Sequence, residues 1–328
     1  MTKVFFLTQI VGILLARASF GAAQFPFALT PTCNVGENAL WYLPASRTCM
    51  AEVDDEERCW YTYAPDGSQH TSSEDRVPLV IDLHGYKGCA QWSPLYTGWK
   101  DLATEHGFVV AWPQGHIENN VLFSHTCWDA GPDCCCHRWK HEIRDDVAFL
   151  SSMIAEIVED NPRVDSNRVY LAGHSNGCMM AQRLAAETTG LVAAVACHSG
   201  ALVGDFSEYF TNNGNVYSNS PTPIMTIWGD ADDVLPFEGG GTDGLRGATE
   251  NMEVWSSMNG CSERAATSVV VDESNLFETL EWDGCNQSMV TVYDVGHFPY
   301  KDAGMLLQKG TSVDTTAMAW NFVQQFSL

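Results

Sequence analysis

The stretch "RVYLAGHSNGCMMAQRLA", residues 168–185, decides how the chain is read. After Arg168 its first six residues are a short apolar run closed by Gly173, as in a buried strand. Its last eight, "CMMAQRLA", have the composition of a helix. Between them Ser175 sits in G-x-S-x-G, flanked by Gly173 and Gly177. A strand that turns sharply into a helix needs small residues on both sides of the turn, because side chains there would meet neighbouring backbone. Such a joint thrusts a serine hydroxyl above the sheet, with the N-terminal end of the next helix facing it.

Working outward, the same alternation of strand and helix recurs. "VPLVIDLHG" (77–85) and "FVVAWPQG" (108–115) read as buried strands, and "GWKDLATEHG" (98–107) as a helix closed by Gly107. "RDDVAFLSSMIAEIVED" (144–160) is amphipathic, with Val147, Leu150, Ile154 and Ile157 predicted on one face, and "NPRVD" ends it. "LVAAVACHSGAL" and "TPIMTIWGDAD" begin as buried strands, and a further helix is expected near 249–258. A last strand lies in "SMVTVYDVGH" and a closing helix in "DTTAMAWNFVQQF". "RCWYTYAP" (58–65) alternates like a strand, and "DGSQHTSSEDR" after it reads as an exposed loop. Helical crossovers between strands make the sheet mostly parallel, so the expected fold is α/β, doubly wound, with helices on both faces. One catalytic domain over 24–328 is expected. It carries a cysteine-containing N-terminal extension (24–58) and an irregular Cys/Trp-rich insertion (116–141).

Lys3 followed by "VFFLTQIVGILL" and then by small residues has the layout of a secretory signal peptide over 1–23, cleaved after Ala23 or Ala18. No later stretch approaches the ~20 apolar residues of a membrane span. Twelve cysteines, an even number, fit an oxidising compartment. Zinc is the rival explanation, but no CxxC pair occurs and "CCC" at 134–136 is too crowded for a tetrahedral site. Adjacent cysteines bridge each other only with difficulty, so this run is expected to reach outward, to Cys127 for example. The sequon "NQS" makes Asn286 a glycosylation candidate. A net charge of −24 disfavours nucleic acid and anionic membrane surfaces as partners. Secretion, an extracellular location and a monomer are expected.

A serine hydroxyl needs a base to remove its proton. In a fold with this joint the partners follow in the order Ser, acid, His. Only His198 and His297 come after Ser175, and only His297 also follows an acid-bearing loop, "TIWGDADDV". The acid is one of Asp230, Asp232 and Asp233, and spacing does not choose among them. The oxyanion of a tetrahedral intermediate needs two backbone donors. The candidates are the N–H of Asn176 and, from "LHGYKG", the N–H of Tyr86. His84 and His174, beside these loops, are read as structural. Trp92, Trp99, Trp128 and Phe298 lie on segments expected near the mouth, where aromatic faces could receive a ring or a sugar or could equally be packing. No metal or organic cofactor is called for.

At these residues the chain resembles a secreted esterase family of the α/β-hydrolases that includes polyhydroxybutyrate depolymerases, feruloyl esterases and acetylxylan esterases. The resemblance runs from Cys59 to Phe326. It rests on "PLVIDLHGYKG", "LATEHGFVVAWPQG", "CWDAG", "DDVAFL", "DSNRVYLAGHSNGCMMA", "WGDADDVLPF", "WSSMNGC", "WDGC" and "GHF". The family's acid motif is similar to H-G-x-x-D-x-x-V-P. Aligned here, Trp228 stands for the histidine and Asp232 takes the acid position. The resemblance also implies a bridge between Cys261 and Cys285. The chain departs from the family in Phe298-Pro299-Tyr300 after the histidine, in Asp82 within a normally apolar strand, and in "CCC". The implied activity is ester hydrolysis, on feruloyl or acetyl esters of plant-type polysaccharides. Polyhydroxybutyrate or its oligomers is the alternative. A peptidase and a non-catalytic binding protein of the same fold are the readings from other classes.

Overall fold

The structure, a computed structural model, describes residues 33, 45–53, 56–65, 76–119, 124–132, 134–136, 144–204, 221–240, 245–261, 266, 268–272, 274–282, 284–301 and 310–328. The segment read as a signal peptide and the loop 66–75 lie outside these residues.

Leu79, Ile81 and Leu83 alternate with Val80 along β3 (Val77–Leu83), and the two sets enter two different cores. A strand covered on both faces must be apolar on both, and this one is, apart from Asp82. Its parallel neighbours are β4 (Val109–Pro113) and β7 (Val164–Gly173). Beyond β7 the parallel series continues through β8 (Ala194–His198), β9 (Ile224–Gly229) and β12 (Gln287–Val292). Antiparallel strands finish both sides: β2 (Glu56–Tyr63) and β1 (Ser46–Val53) beyond β4, and β11 (Phe277–Trp282) and β10 (Ser268–Val271) beyond β12. The ten strands run in the order β1-β2-β4-β3-β7-β8-β9-β12-β11-β10.

One face is covered by α3 (Asp146–Asp160), α4 (Asn176–Glu187) and α5 (Ala248–Met258), through Phe149, Leu150, Met180, Leu184 and Trp255. The other is covered by α2 (Trp99–His106) and α6 (Thr315–Val323), through Trp99, Ala103, Trp320 and Val323. Burying each large apolar side chain contributes roughly 1.5–3 kcal/mol, and the two cores together hold the three layers. Asp145 caps α3 and Asp314 caps α6, each accepting the N–H three residues on. Gly107 ends α2 in the left-handed conformation, as its position predicts.

The face expected of α3 is the one that packs: Leu150, Ile154 and Ile157 are buried, half-buried Val147 lies against the same core, and Phe149 and Met153 widen it. Three expectations change. The insertion is not irregular throughout: β5 (His116–Asn119) and β6 (Ser124–Cys127) form a hairpin. The N-terminal extension is not an appendage. It supplies β1, where Cys49 lies opposite Cys59 and bonds to it, and Cys33 bonds to Cys89 beyond β3. Cys127 does pair with Cys136, but Cys134 pairs with its neighbour Cys135 instead of reaching outward. Cys261–Cys285 is formed, as the family resemblance implied, and Cys178–Cys197 accounts for the last pair. No cysteine is left free. Asn286 is exposed in the turn between β11 and β12. Among the described residues no helix is long and apolar enough to cross a membrane.

Candidate active site

In a parallel sheet the loops at the carboxyl ends of the strands face one way, and ligands bind there. Ser175 follows β7, Gly85 follows β3, Asp232 follows β9 and His297 follows β12.

Ser175 has φ 54° and ψ −121°. A non-glycine residue there is strained, and it stays only because its surroundings fix it. Its N–H donates to the carbonyl of His198 and its carbonyl accepts from Met179, so both sides of the turn are tied down. A Cβ built on Gly85 would lie 3.4 Å from Cβ of Ser175, which puts the loop after β3 directly against the serine.

His297 and Asp232 meet. His297 Nδ1 and Asp232 Oδ2 are 2.7 Å apart, and both side chains are buried. The other carboxylate oxygen, Oδ1, accepts the N–H groups of Val234 and Leu235. Asp232 is therefore held on both oxygens and can only present Oδ2 to the imidazole. Asp230 and Asp233 are exposed, and Asp230 accepts from the N–H of Asp294. The acid loop reaches the histidine loop only because residue 229 is glycine: a Cβ there would stand 2.1 Å from the carbonyl oxygen of Val295. Trp228, at the position of the family's histidine, is buried.

The serine joint and the histidine loop are joined by His174. Its Nε2 donates to the carbonyl of His297 at 2.7 Å, and the two rings are 4.8 Å apart. Burial, with His297 beside it, pushes His174 well below the usual histidine range, so it is neutral and its tautomer is set by that bond. His84 is likewise buried and neutral, pushed down to about 4. Both act on backbone, in keeping with a structural reading.

Asn176 is the first residue of α4, so the helix leaves its backbone N–H without an internal partner. Tyr86 lies half-buried in the loop beside Ser175. Phe298 is half-buried, with its ring 4.3 Å from that of His174 and 6.1 Å from that of Tyr96. Trp92 is half-buried at the start of α1 (Ser93–Tyr96). For two of the four aromatics the packing alternative holds. Trp99 packs against Phe108 in the core. Trp128 is fully buried beneath the loops, its indole N–H donating to the carbonyl of His84. A wholly covered indole offers no face to a substrate.

The structure also gives Asp82 a place. Alternation along β3 turns it away from Leu83, toward Thr97 Oγ1 at 2.8 Å and Trp112 Nε1 at 3.0 Å, both of which donate to its Oδ2. Its Oδ1 has no partner among the described residues. Burial pushes its pKa up to about 6, against the two hydrogen bonds. The folded state then keeps a proton that the unfolded chain releases above about pH 4. Stability from this group is present below the unfolded value and is lost as pH rises through 6, by about 3 kcal/mol in all. Asp82→Asn should therefore melt about 5 °C or more above the native protein at pH 7, and the gap should close near pH 4. Thermal melts of both proteins across that range read it directly, and a gap independent of pH would refute it.

Among the described residues one group has metal-ligand spacing, Cys49, Glu57 and Cys59. Its two cysteines are bonded to each other, which leaves a single carboxylate.

The sheet order, the helices on both faces and the loops at the strand ends are those of an α/β-hydrolase. An acetyl xylan esterase from Aspergillus awamori has the same fold, with a TM-score of 0.54 at 18% identity, over 80% of this chain and 98% of that one. The family model described as esterase PHB depolymerase matches residues 58–239, and the chain belongs to that family. Feruloyl esterase B of Piromyces equi is 26% identical over 265 residues, covering 78% of this chain and 44% of that protein. Poly(3-hydroxyalkanoate) depolymerase C of Paucimonas lemoignei is 26% identical over 233 residues, covering 69% and 50%. The chain thus spans about half the length of the curated relatives it matches.

Proposed function

We propose that the chain is a secreted serine esterase that cleaves carboxylic esters through an acyl-enzyme on Ser175. The observation that carries this is the buried 2.7 Å contact of His297 with Asp232, tied by His174 to the strained turn that bears Ser175. Asp232 accepts from Nδ1 and keeps Nε2 of His297 as the basic nitrogen. His297 takes the Ser175 proton as the oxygen attacks the ester carbonyl. The N–H groups of Asn176 and Tyr86 receive the oxyanion, where fixed donors outperform mobile water. His297 then gives the proton to the leaving alcohol. Water, deprotonated by the same imidazole, hydrolyses the acyl-enzyme and frees the acid.

The substrates proposed are feruloyl or acetyl esters of plant-type polysaccharides. Phe298 supports an aromatic acyl group, because its half-exposed ring stands beside His297. Six disulfides and an exposed sequon at Asn286 support export.

A fluorophosphonate should form one stoichiometric adduct, mapped by mass spectrometry to the peptide carrying Ser175. Product release from methyl ferulate, acetylated xylan and polyhydroxybutyrate is then compared. Cleavage of either of the first two supports the substrate class, and cleavage of the polyester alone replaces it. An unlabelled Ser175, or hydrolysis of peptides only, would sink the esterase reading.

A further inference from the structure

We propose that Trp128 is a positioning residue that holds the Ser175–Asn176 joint and the Gly85–Tyr86 loop at a fixed separation. The proposal rests on the reading above, in which Asn176 and Tyr86 supply the two oxyanion donors.

Trp128 is bonded to both loops. Its backbone N–H donates to Oδ1 of Asn176 at 2.7 Å, and its carbonyl accepts from Nδ2 of the same amide at 3.0 Å. Two bonds from one planar amide to one residue leave the Asn176 side chain no freedom to slide or swing. On the other side the indole N–H donates to the carbonyl of His84 at 2.8 Å, and the indole packs tilted against the His84 ring with the ring centres 5.1 Å apart.

From His84 the constraint passes along two peptides. Nε2 of His84 accepts the N–H of Gly115 at 2.9 Å, so Nδ1 carries the proton and donates to the carbonyl of Gly85 at 2.8 Å. The N–H of Gly88 donates to that carbonyl as well, also at 2.8 Å. Peptides are planar, and no cis bond occurs among the described residues. A Gly85 carbonyl held by two donors therefore fixes the Tyr86 N–H in the opposite direction. Thr126, two residues before Trp128, adds two bonds to the same loop: its carbonyl accepts from Lys87 N–H and its hydroxyl donates to the carbonyl of Gly88.

The segment carrying Trp128 is itself anchored. Cys127 is bridged to Cys136, and the N–H of Asp129 donates to Asp146, which pairs with buried Arg58 at 2.6 Å. Apolar filling alone would not explain this pattern. Any large ring would fill the space, whereas the indole N–H and the backbone of residue 128 reach the two donor loops and join them. The separation matters because oxyanion donors work over a few tenths of an ångström. A misplacement of about 1 Å costs on the order of 10²-fold in rate.

The test is Trp128→Phe, which keeps a ring and removes the indole N–H. We measure kcat and KM on p-nitrophenyl acetate, inhibition by a boronic acid that forms a tetrahedral adduct on serine, and the thermal melt. The expected result is a fall in kcat of about 10–100-fold with KM within about twofold. Boronate affinity should fall by the same factor as kcat, because the adduct mimics the oxyanion and substrate binding does not. A folded variant with native kcat and native boronate affinity, or with a loss confined to KM, overturns the proposal. If Trp128→Phe does not melt cooperatively, Thr126→Val carries the same paired measurement, and unchanged values there overturn it too. Normal fluorophosphonate labelling of native Ser175, beside a Trp128→Phe variant with native kcat and native boronate affinity, removes only the role of Trp128. Absence of labelling removes the serine reading and this proposal together.

Discussion

Asp232→Asn should lower kcat by about 10⁴-fold while the protein stays folded. The size of the effect follows from the way the carboxylate is held. Val234 and Leu235 donate their N–H groups to Oδ1. An asparagine at 232 keeps its carbonyl oxygen on those two donors, so its NH₂ group must face Nδ1 of His297. That nitrogen then becomes the acceptor, and the imidazole carries its proton on Nε2. An Nε2–H cannot take the proton of Ser175. The exchange thus leaves shape and packing nearly intact and gives the base the wrong tautomer. Asp230→Asn and Asp233→Asn should stay within about twofold of native, since both side chains are exposed. Steady-state kinetics on p-nitrophenyl acetate, with circular dichroism as the fold check, read all three. An Asp232→Asn enzyme that keeps a tenth of native kcat would show that the aspartate does not set the tautomer.

The parallel heart of the sheet was legible because its strands are or contain short apolar runs, most of them closed by a glycine or proline. The proposed catalytic residues shared that clarity, since each lies just past such a run. The outer strands did not. Val269, Val270 and Val271 of β10 are exposed, and β11 is only half-buried, so neither shows the buried run or clean alternation that marks a strand. β1 was hidden among turn-forming residues, and what makes it a strand is pairing, with Cys49 opposite Cys59. Asp82 looked like an anomaly because its donors, Thr97 and Trp112, sit 15 and 30 residues further along the chain.

Trp128 shows the harder limit. Sequence placed it on a segment near the active-site loops and left open whether it lines the mouth or packs beneath it, and its burial selects packing. Indole is both a large apolar body and a hydrogen-bond donor, so composition cannot say whether it faces solvent or spans two loops. Its partners decide, and they are Asn176, 48 residues away, and His84, 44 residues away. The same holds for the choice among three aspartates. Spacing left it open, the family motif pointed to Asp232, and two backbone N–H groups with burial distinguish it in space.

The largest stability effect is expected at Gly177, the second residue of α4. A Cβ there would lie 2.1 Å from the carbonyl oxygen of Leu83 and 2.6 Å from that of His84. Both obstacles are backbone at the end of β3, so no rotamer change relieves them. The Leu83 carbonyl also accepts the N–H of His174. To admit a methyl group α4 must move outward by about 1 Å, which opens the contact between the serine joint and the loop of His84 to Tyr86. Gly177→Ala should cost about 5 kcal/mol, in the range reserved for broken backbone contacts and strain in the core. Gly190→Ala is the control. Its φ of +69° is strained for alanine, yet nothing lies within 4 Å of the new methyl group. That substitution should cost only about 1–2 kcal/mol. Urea denaturation of the two variants gives the comparison. Equal midpoints would mean that the approach of α4 to β3 is not what the glycine protects. A larger loss at 177, with kcat reduced in whatever fraction folds, ties the packing of the strand end to the geometry on which the proposed chemistry depends.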